Sequence, residues 1–137
     1  MDNKQLGRIG LSMAINYFTI NGYTVSLPIN DTQWYDLIVE KDGIFETVQC
    51  KCTDREDNRI DLRSTGGTNG KVYDIVTNHK ELTYLFCVDN QRRCFLIPLK
   101  DIIEKEVKNS IKLRYDPNPN GQGFNTYIYL VKDGKVE

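Results

Sequence analysis

The chain has 137 residues, of which 39% are hydrophobic and 27% charged, and its formal net charge is -1 at pH 7. These proportions are ordinary for a globular protein, and the length predicts one domain, residues 1–137, with a substantial core. No apolar run approaches the roughly 18 residues of a membrane span, and the N-terminus lacks the pattern of a signal peptide. We therefore expect a cytoplasmic protein without a membrane segment, and its net charge gives no sign of a nucleic-acid partner.

The four cysteines do not have the spacing of a zinc site. Cys50 and Cys52 form a C-x-C pair, Cys87 and Cys94 lie in other apolar runs, and His79 is the only histidine. Because no C-x2-C pair is present, we expect buried free thiols in a reducing compartment rather than metal ligands.

The first half of the chain predicts a helix followed by a strand meander. Apolar residues recur at helical spacing over residues 4–21, and Asn21-Gly22 gives the stop signal. Alternating or apolar runs then predict strands, and Lys41-Asp42-Gly43 predicts a hairpin turn between two of them. The expected strands are Tyr23–Leu27, Tyr35–Glu40 and Ile44–Thr53.

The second half predicts further strands and one more long helix. The expected elements are a short strand at 60–64, a short helix at 72–79, strands Glu81–Asp89 and Arg93–Ile97, a helix Leu99–Val107, a mobile loop at 115–125 and a C-terminal strand at 126–132. This order predicts an α/β (α+β) fold in which helices flank a mixed β-sheet.

Three polar residues in the central hairpin have the chemistry of a phosphodiesterase site. Asp36 lies in one apolar run, and Gln49 and Lys51 lie two positions apart in the next. Because strand side chains alternate between faces, Gln49 and Lys51 should point the same way, and the hairpin should bring Asp36 beside them. An acid, an oxygen ligand and an amine at one sheet edge can bind a divalent metal and activate water against a phosphodiester.

The order of landmarks around this triplet resembles the PD-(D/E)xK nuclease superfamily, in which an acid precedes an acid-x-Lys strand. Within it, the chain is similar to bacterial group I intron homing endonucleases and to archaeal-type Holliday junction resolvases. The resemblance covers most of residues 4–105 and implies a restriction-endonuclease-like core. The matching segments are Gly7-Arg8-Ile9-Gly10-Leu11, Gly22-Tyr23-Thr24-Val25, Tyr35-Asp36, Gln49-Cys50-Lys51, Tyr84–Val88 and Phe95–Ile102.

The resemblance implies a role for each residue of the triplet. Asp36 would be the principal metal ligand, Gln49 would supply an amide oxygen, and the backbone carbonyl of Cys50 would be a further ligand. Lys51 would contact the scissile phosphate or stabilise developing charge. The implied ion is Mg²⁺, with Mn²⁺ as an alternative and Ca²⁺ as a non-cleaving substitute.

Two positions depart from the family pattern and leave the site short of acid. Gln49 stands where an acid is usual, and Leu11 stands where the first helix commonly carries a catalytic Glu. Three accounts remain open: an enzyme that works with Asp36 and Gln49, a chain inactivated at position 11, or a sequence-specific DNA-binding module that does not cut. A structural domain in which the triplet is accidental is a fourth.

Basic residues after the catalytic strand are the expected contacts to double-stranded DNA. Arg55, Arg59, Arg63 and Lys71 follow Lys51 and are interleaved with acids. Arginine pairs well with guanine in the major groove. Because so small a domain covers little DNA, a long target site predicts a homodimer or homotetramer.

Overall fold

The computed structural model describes residues 1–30, 33–66, 71–78, 81–117, 123–132 and 135–136. Within these ranges, one long helix is followed by a run of six strands, and the later strands are separated by short helices. In chain order the elements are α1 (Asn3–Ile20), β1 (Thr24–Ser26), β2 (Leu37–Lys41), β3 (Ile44–Cys52), β4 (Arg59–Asp61), β5 (Arg63–Gly66), β6 (Lys71–Asp74), α2 (Ile75–Asn78), β7 (Tyr84–Val88), β8 (Cys94–Pro98), α3 (Leu99–Glu104), β9 (Ser110–Lys112), a 3₁₀ helix (Thr126–Tyr129), β10 (Val131–Lys132) and β11 (Lys135–Val136).

The main sheet has five strands in the order β1-β2-β3-β7-β8. All neighbours are antiparallel except β3 and β7, which run parallel with Gln49 opposite Leu85. A parallel pair needs a long crossover, and the segment from β4 to α2 supplies it. The prediction of a mixed sheet flanked by helices is confirmed.

Helix α1 covers one face of this sheet. It begins with a capping box between Asp2 and Gln5, and it ends before Gly22, whose φ of +84° suits glycine. Tyr17 and Phe18 pack against the buried Phe86 of the central strand β7. Aromatic burial of this kind fixes α1 across the strands that carry the predicted site.

The other face of the sheet is covered by the later elements. Leu85 and Ile97 of the sheet are fully buried there among apolar residues from β4, α2, α3 and β9. Trp34 and Tyr35, just before β2, pack against the same cluster. The segment that leads into Asp36 is thereby held by the core.

Several expectations about the second half differ from the structure. The single strand expected at 60–64 is two strands, β4 and β5, which pair with β9 and β6, and the helix expected over Leu99–Val107 ends at Glu104. The helix expected at 72–79 is split, because Lys71–Asp74 pairs with β5 and helix α2 begins only at Ile75. The short strand β9, which pairs with β4, was not predicted. These errors concern elements of three to six residues, which are too short to show a clear periodicity, and β9 also pairs with a strand that is distant in sequence.

The C-terminal strand expected at 126–132 is also wrong in its first part. Thr126–Tyr129 forms a 3₁₀ helix, and strand β10 begins only at Val131. The buried Thr126 hydroxyl explains the difference, since it donates to the Lys112 carbonyl at 2.7 Å and accepts the Arg114 N–H at 2.8 Å. These two hydrogen bonds hold Thr126 in the 3₁₀ helix, although the alternating sequence pattern predicts a strand. Within the mobile loop expected at 115–125, residues 118–122 lie outside the described residues.

The four cysteines are free thiols, as predicted, although only Cys87 is fully buried. Burial raises the pKa of Cys87 to about 12, which keeps it protonated and unreactive at neutral pH. None of the helices in the described part of the chain is long and apolar enough to cross a membrane.

Candidate active site

Asp36 is tied to strand β3 at the point where β2 begins. Its N–H donates to the Val48 carbonyl at 2.8 Å, and its Oδ2 accepts the Cys50 N–H at 2.8 Å. The carboxylate therefore takes the place of a strand partner for β3, between Gln49 and Lys51. The predicted hairpin is present, and it places Asp36 beside the segment of β3 that carries Gln49 and Lys51.

The ionisation of Asp36 is set by opposing effects. Although the residue is exposed overall, desolvation by the surrounding protein raises the pKa of its carboxyl. The Cys50 N–H and the positive charge of Lys51 act in the opposite direction without cancelling it. A carboxylate with this environment gains from a nearby cation, which would offset its desolvation.

Gln49 presents a buried amide oxygen without a partner. The residue is 9% exposed, and its Oε1 has no hydrogen-bond partner among the described residues. Buried polar atoms are nearly always satisfied, so an orphaned oxygen is an unusual cost that a bound ligand would remove. A carbonyl oxygen in this state fits the hard divalent cations Mg²⁺ and Ca²⁺.

The Cys50 carbonyl lies at the same edge. The N–H and C=O of a strand residue point to the same side, and the Cys50 N–H points to Asp36 beyond the start of β2. Its carbonyl can therefore join the Asp36 carboxylate and the Gln49 amide as an oxygen ligand. The described residues contain no group of three His, Cys, Asp or Glu side chains that could hold a metal, so this donor set has one carboxylate and two neutral oxygens.

Lys51 is half-buried and lies between two carboxylates. Its charge lowers the pKa of Asp36 on one side. On the other side, burial acts to raise the pKa of Asp61, but hydrogen bonds from Arg63 and the charges of Arg63 and Lys51 lower it overall. The amine is thus placed in a polar environment at the end of β3, where it can meet an anionic substrate.

Leu11 approaches the site from the other face of β3. It is partly buried in the apolar cluster that contains Cys50, and its neighbour Gly10 lies against the backbone of Lys51 and Cys52. A Cβ at Gly10 would be 3.5 Å from the Cys52 Cβ, so α1 passes close to β3. Position 11 contributes packing here and no ligand atom.

A cleft of about 760 Å³ continues from Lys51 toward the expected DNA-contacting residues. Arg55 and Arg59 line it, together with Asp54 and Asp61. The side chains of both arginines are more than 45% exposed. The cleft connects the end of β3 with two exposed guanidinium groups.

The other two expected contacts lie outside the lining of this cleft. Arg63 begins strand β5, and its Nε donates to Asp61 Oδ1 at 3.3 Å. Lys71 begins strand β6, where its backbone pairs with Gly66, and its side chain lies outside the described residues. The four positions therefore lie in the loop that follows β3 and in strands β4, β5 and β6.

Sequence reasoning missed the acids and amides that hold these arginines. Asp57 binds Arg55 through both carboxylate oxygens. The local sequence Arg55-Glu56-Asp57, with an acid two residues after an arginine, could have predicted this ion pair. Asn90 donates to the Arg55 carbonyl from the β7–β8 turn, 35 residues away. No local pattern could reveal that contact.

Comparison with known proteins shows the family to which the chain belongs. The model of a family described as PD-(D/E)XK endonuclease matches residues 1–128, which is most of the chain. No curated protein matches the sequence.

Among solved structures, the chain is similar to the bacterial homing endonuclease I-Ssp6803I. The two share 20% sequence identity with a TM-score of 0.73, over 95% of this chain and 89% of the other. At this identity the likeness establishes the fold. It confirms the expected mixed-sheet nuclease architecture.

Proposed function

This chain belongs to the PD-(D/E)XK endonuclease family, and on that premise we propose that it is a site-specific endonuclease of the homing type. The proposed reaction is hydrolysis of phosphodiester bonds in double-stranded DNA. The observation that carries the proposal is the orphaned Oε1 of Gln49 at the same strand edge as the Asp36 carboxylate. An unsatisfied buried oxygen next to a desolvated acid supports a cation-binding site rather than an accidental polar cluster.

The residues that would hold the cation are Asp36, Gln49 and, through its carbonyl, Cys50. A bound Mg²⁺ would supply Lewis acidity toward a phosphate oxygen and lower the pKa of its water. The protein's part is orientation: the Cys50 N–H fixes the Asp36 carboxylate at 2.8 Å, and burial in the sheet fixes Gln49. Because Gln49 is neutral, we expect weak Mg²⁺ affinity, with Mn²⁺ supporting cleavage and Ca²⁺ supporting only binding.

Lys51 would act on the substrate phosphate. Its amine lies two residues beyond Gln49 on the same face of β3, so it can contact a phosphate oxygen while that phosphate meets the metal ligands. Positive charge held there stabilises the negative charge that develops in phosphodiester hydrolysis.

Arg55, Arg59, Arg63 and Lys71 would bind the duplex on either side of the scissile phosphate. Arg55 and Arg59 line the cleft that begins at Lys51, which supports a continuous DNA path. A domain of 137 residues covers little DNA. We therefore propose a homodimer or homotetramer whose symmetry matches a near-palindromic target.

One assay tests the proposal. The protein is incubated with Mg²⁺, Mn²⁺ or Ca²⁺ and with a duplex pool of randomised sequence or a four-way junction. Cleavage of duplexes with Mg²⁺ or Mn²⁺, but not Ca²⁺, is the expected result. Cleavage of junctions alone would favour a resolvase, and absence of both binding and cleavage would refute the proposal.

The second candidate is a DNA-binding module with an inactive site, which Leu11 favours. Leu11 packs with apolar neighbours and offers no oxygen to a cation. The variant Leu11→Glu decides between the two: if it cleaves and the unaltered chain only binds, the site is intact but lacks one acid. If both cleave equally, position 11 is unnecessary.

A further inference from the structure

Arg55 is held in one orientation by an acid two residues later. Its Nε donates to Asp57 Oδ1 at 3.0 Å and its Nη2 donates to Asp57 Oδ2 at 2.9 Å. This paired geometry uses one edge of the planar guanidinium. The other edge, formed by Nη1 and the second N–H of Nη2, keeps two parallel donors.

Both backbone polar groups of Arg55 are also hydrogen-bonded. The Arg55 N–H donates to the Thr53 hydroxyl at 3.0 Å, and the Arg55 carbonyl accepts Asn90 Nδ2 at 2.9 Å and the Asn58 N–H at 3.1 Å. Asp57 Oδ1 also accepts the Arg59 N–H at 3.1 Å. Arg55 therefore stands on a tight turn that is fixed to the β7–β8 connection.

Most exposed arginines lose side-chain entropy when they bind a ligand, because their long side chain must be ordered first. The Arg55 side chain is partly ordered before it binds DNA, since a two-point contact fixes the plane of its guanidinium. It should therefore lose less side-chain entropy on binding. Its side chain is nevertheless 64% exposed and borders the cleft that begins at Lys51. An oriented, exposed guanidinium suits recognition of two adjacent acceptors in one plane.

We propose that Arg55 reads a guanine in the major groove through its free Nη1–Nη2 edge, and that Asp57 is the positioning residue that aims it. Guanine is the base that presents two acceptors, O6 and N7, side by side in that groove. The inference rests on the proposed DNA-cleaving function and deepens it by assigning a specificity determinant. Arg59 has only a 4.0 Å contact with Asp57, and we assign it to phosphate binding.

The test is selection of bound duplexes from a randomised DNA pool in the presence of Ca²⁺, with the full chain and with three variants. Arg55→Lys keeps the charge but removes the planar fork, and Asp57→Asn removes the positioning charge. Glu56→Gln is the matched control, because it removes the same charge from an exposed residue of the same turn. Circular dichroism and thermal unfolding verify that each variant is folded.

For the unaltered chain we expect a guanine to be enriched at one position roughly tenfold or more over the other bases. Arg55→Lys should abolish that enrichment, and Asp57→Asn should reduce it about two- to fivefold at the same position. Glu56→Gln should leave it unchanged while raising affinity for all sequences slightly.

Two results would overturn the inference while leaving the proposed function intact. One is a DNA-cleaving chain whose guanine preference, if present, is insensitive to Arg55→Lys. The other is an Asp57→Asn variant that changes affinity for every sequence equally, as Glu56→Gln does, since Asp57 would then act only as a charge. A chain that neither binds nor cuts duplex DNA would refute the proposed function itself.

Discussion

At the scale of single residues, the site combines a restrained acid with an unsatisfied amide. The alternation of β3 was enough to predict that Gln49 and Lys51 share a face, and the hairpin turn predicted that Asp36 would be near. The sequence could not reveal that Asp36 Oδ2 accepts the Cys50 N–H or that Gln49 Oε1 is buried without a partner. Both depend on where β2 starts and on packing from distant segments.

Replacement of Asp36 by Asn should separate catalysis from folding. Because desolvation raises the pKa of this carboxyl, its ionised form costs stability above that pKa, and Asn removes the cost while keeping an acceptor for the Cys50 N–H. We expect cleavage to fall at least about hundredfold. The midpoint of thermal unfolding without metal should be unchanged or higher at pH 7. The difference should shrink as pH falls through the raised pKa of Asp36 and vanish below the ordinary pKa of an aspartate carboxyl.

Asp42→Asn is the matched control for that measurement, since Asp42 lies at the exposed tip of the β2–β3 hairpin. It should change neither cleavage nor the pH dependence of unfolding. A clear loss of metal-free stability in Asp36→Asn at pH 7 would contradict the assigned cause of the pKa shift.

Replacement of Gln49 by Glu should lower the stability of the metal-free protein and raise its affinity for Mg²⁺. A carboxylate at this buried position, next to Asp36, would have a raised pKa, so the metal-free protein should lose stability as pH rises through that pKa. We expect the free energy of unfolding to fall by at least about 1 kcal/mol at pH 8 and to be recovered when Mg²⁺ is added. Cleavage should need a lower Mg²⁺ concentration than in the unaltered chain. Unfolding at pH 5 and pH 8, with and without Mg²⁺, measures this.

Gln91→Glu adds the same charge in an exposed turn and serves as the control. It should show neither the pH-dependent loss nor the recovery with Mg²⁺. If Gln49→Glu behaves like the control, the Gln49 amide does not face the cation site.

At the scale of elements, α1 packs closely against β3 and places Leu11 in the apolar cluster on the strand face opposite Gln49 and Lys51. The periodicity of α1 and its stop at Gly22 were predictable because they are local. The parallel pairing of β3 with β7 was not, since it depends on a crossover of about thirty residues whose short strands carry little pattern. An element with a local sequence pattern was therefore easier to predict than the pairing between two strands of the sheet.

Gly10→Ala tests how tightly α1 meets the catalytic strand. The added Cβ would lie 3.5 Å from the Cys52 Cβ and 3.6 Å from the Lys51 carbonyl carbon, which is ordinary van der Waals contact. Ala should therefore stabilise the helix by about 0.5–1 kcal/mol, as it should at Gly7, where no atom lies within 4 Å. Chemical denaturation of both variants measures this, and destabilisation by Gly10→Ala alone would indicate a tighter interface than the structure shows.

At the scale of the whole molecule, the proposed binding of DNA by a chain of net charge -1 depends on local charge. The exposed arginines near the cleft are paired with acids, so the net field over that surface is modest. Composition alone could not predict this surface, because it counts the charges without placing them. The family resemblance is the basis of the proposed function, and the structure adds a cleft that extends from Lys51 to Arg55.

Duplex binding should accordingly be steeply dependent on salt. If the four proposed basic residues each neutralise a phosphate, affinity should fall about a hundredfold between roughly 50 and 200 mM salt. Fluorescence anisotropy with a labelled duplex measures the slope, and sedimentation of the same complex gives the number of subunits. A slope near zero would contradict the proposed role of these residues, and a monomer on DNA would contradict the proposed oligomer.

The Asp36–Cys50 hydrogen bond makes one backbone amide a reporter of the site. The Cys50 N–H is protected from exchange with solvent deuterium by a side chain rather than by a neighbouring strand. Its exchange rate should therefore follow the ionisation and ligation of Asp36, whereas the Val48 amide within the β2–β3 ladder should not respond. Amide exchange at this one residue offers a measure of site occupancy that needs neither DNA nor turnover.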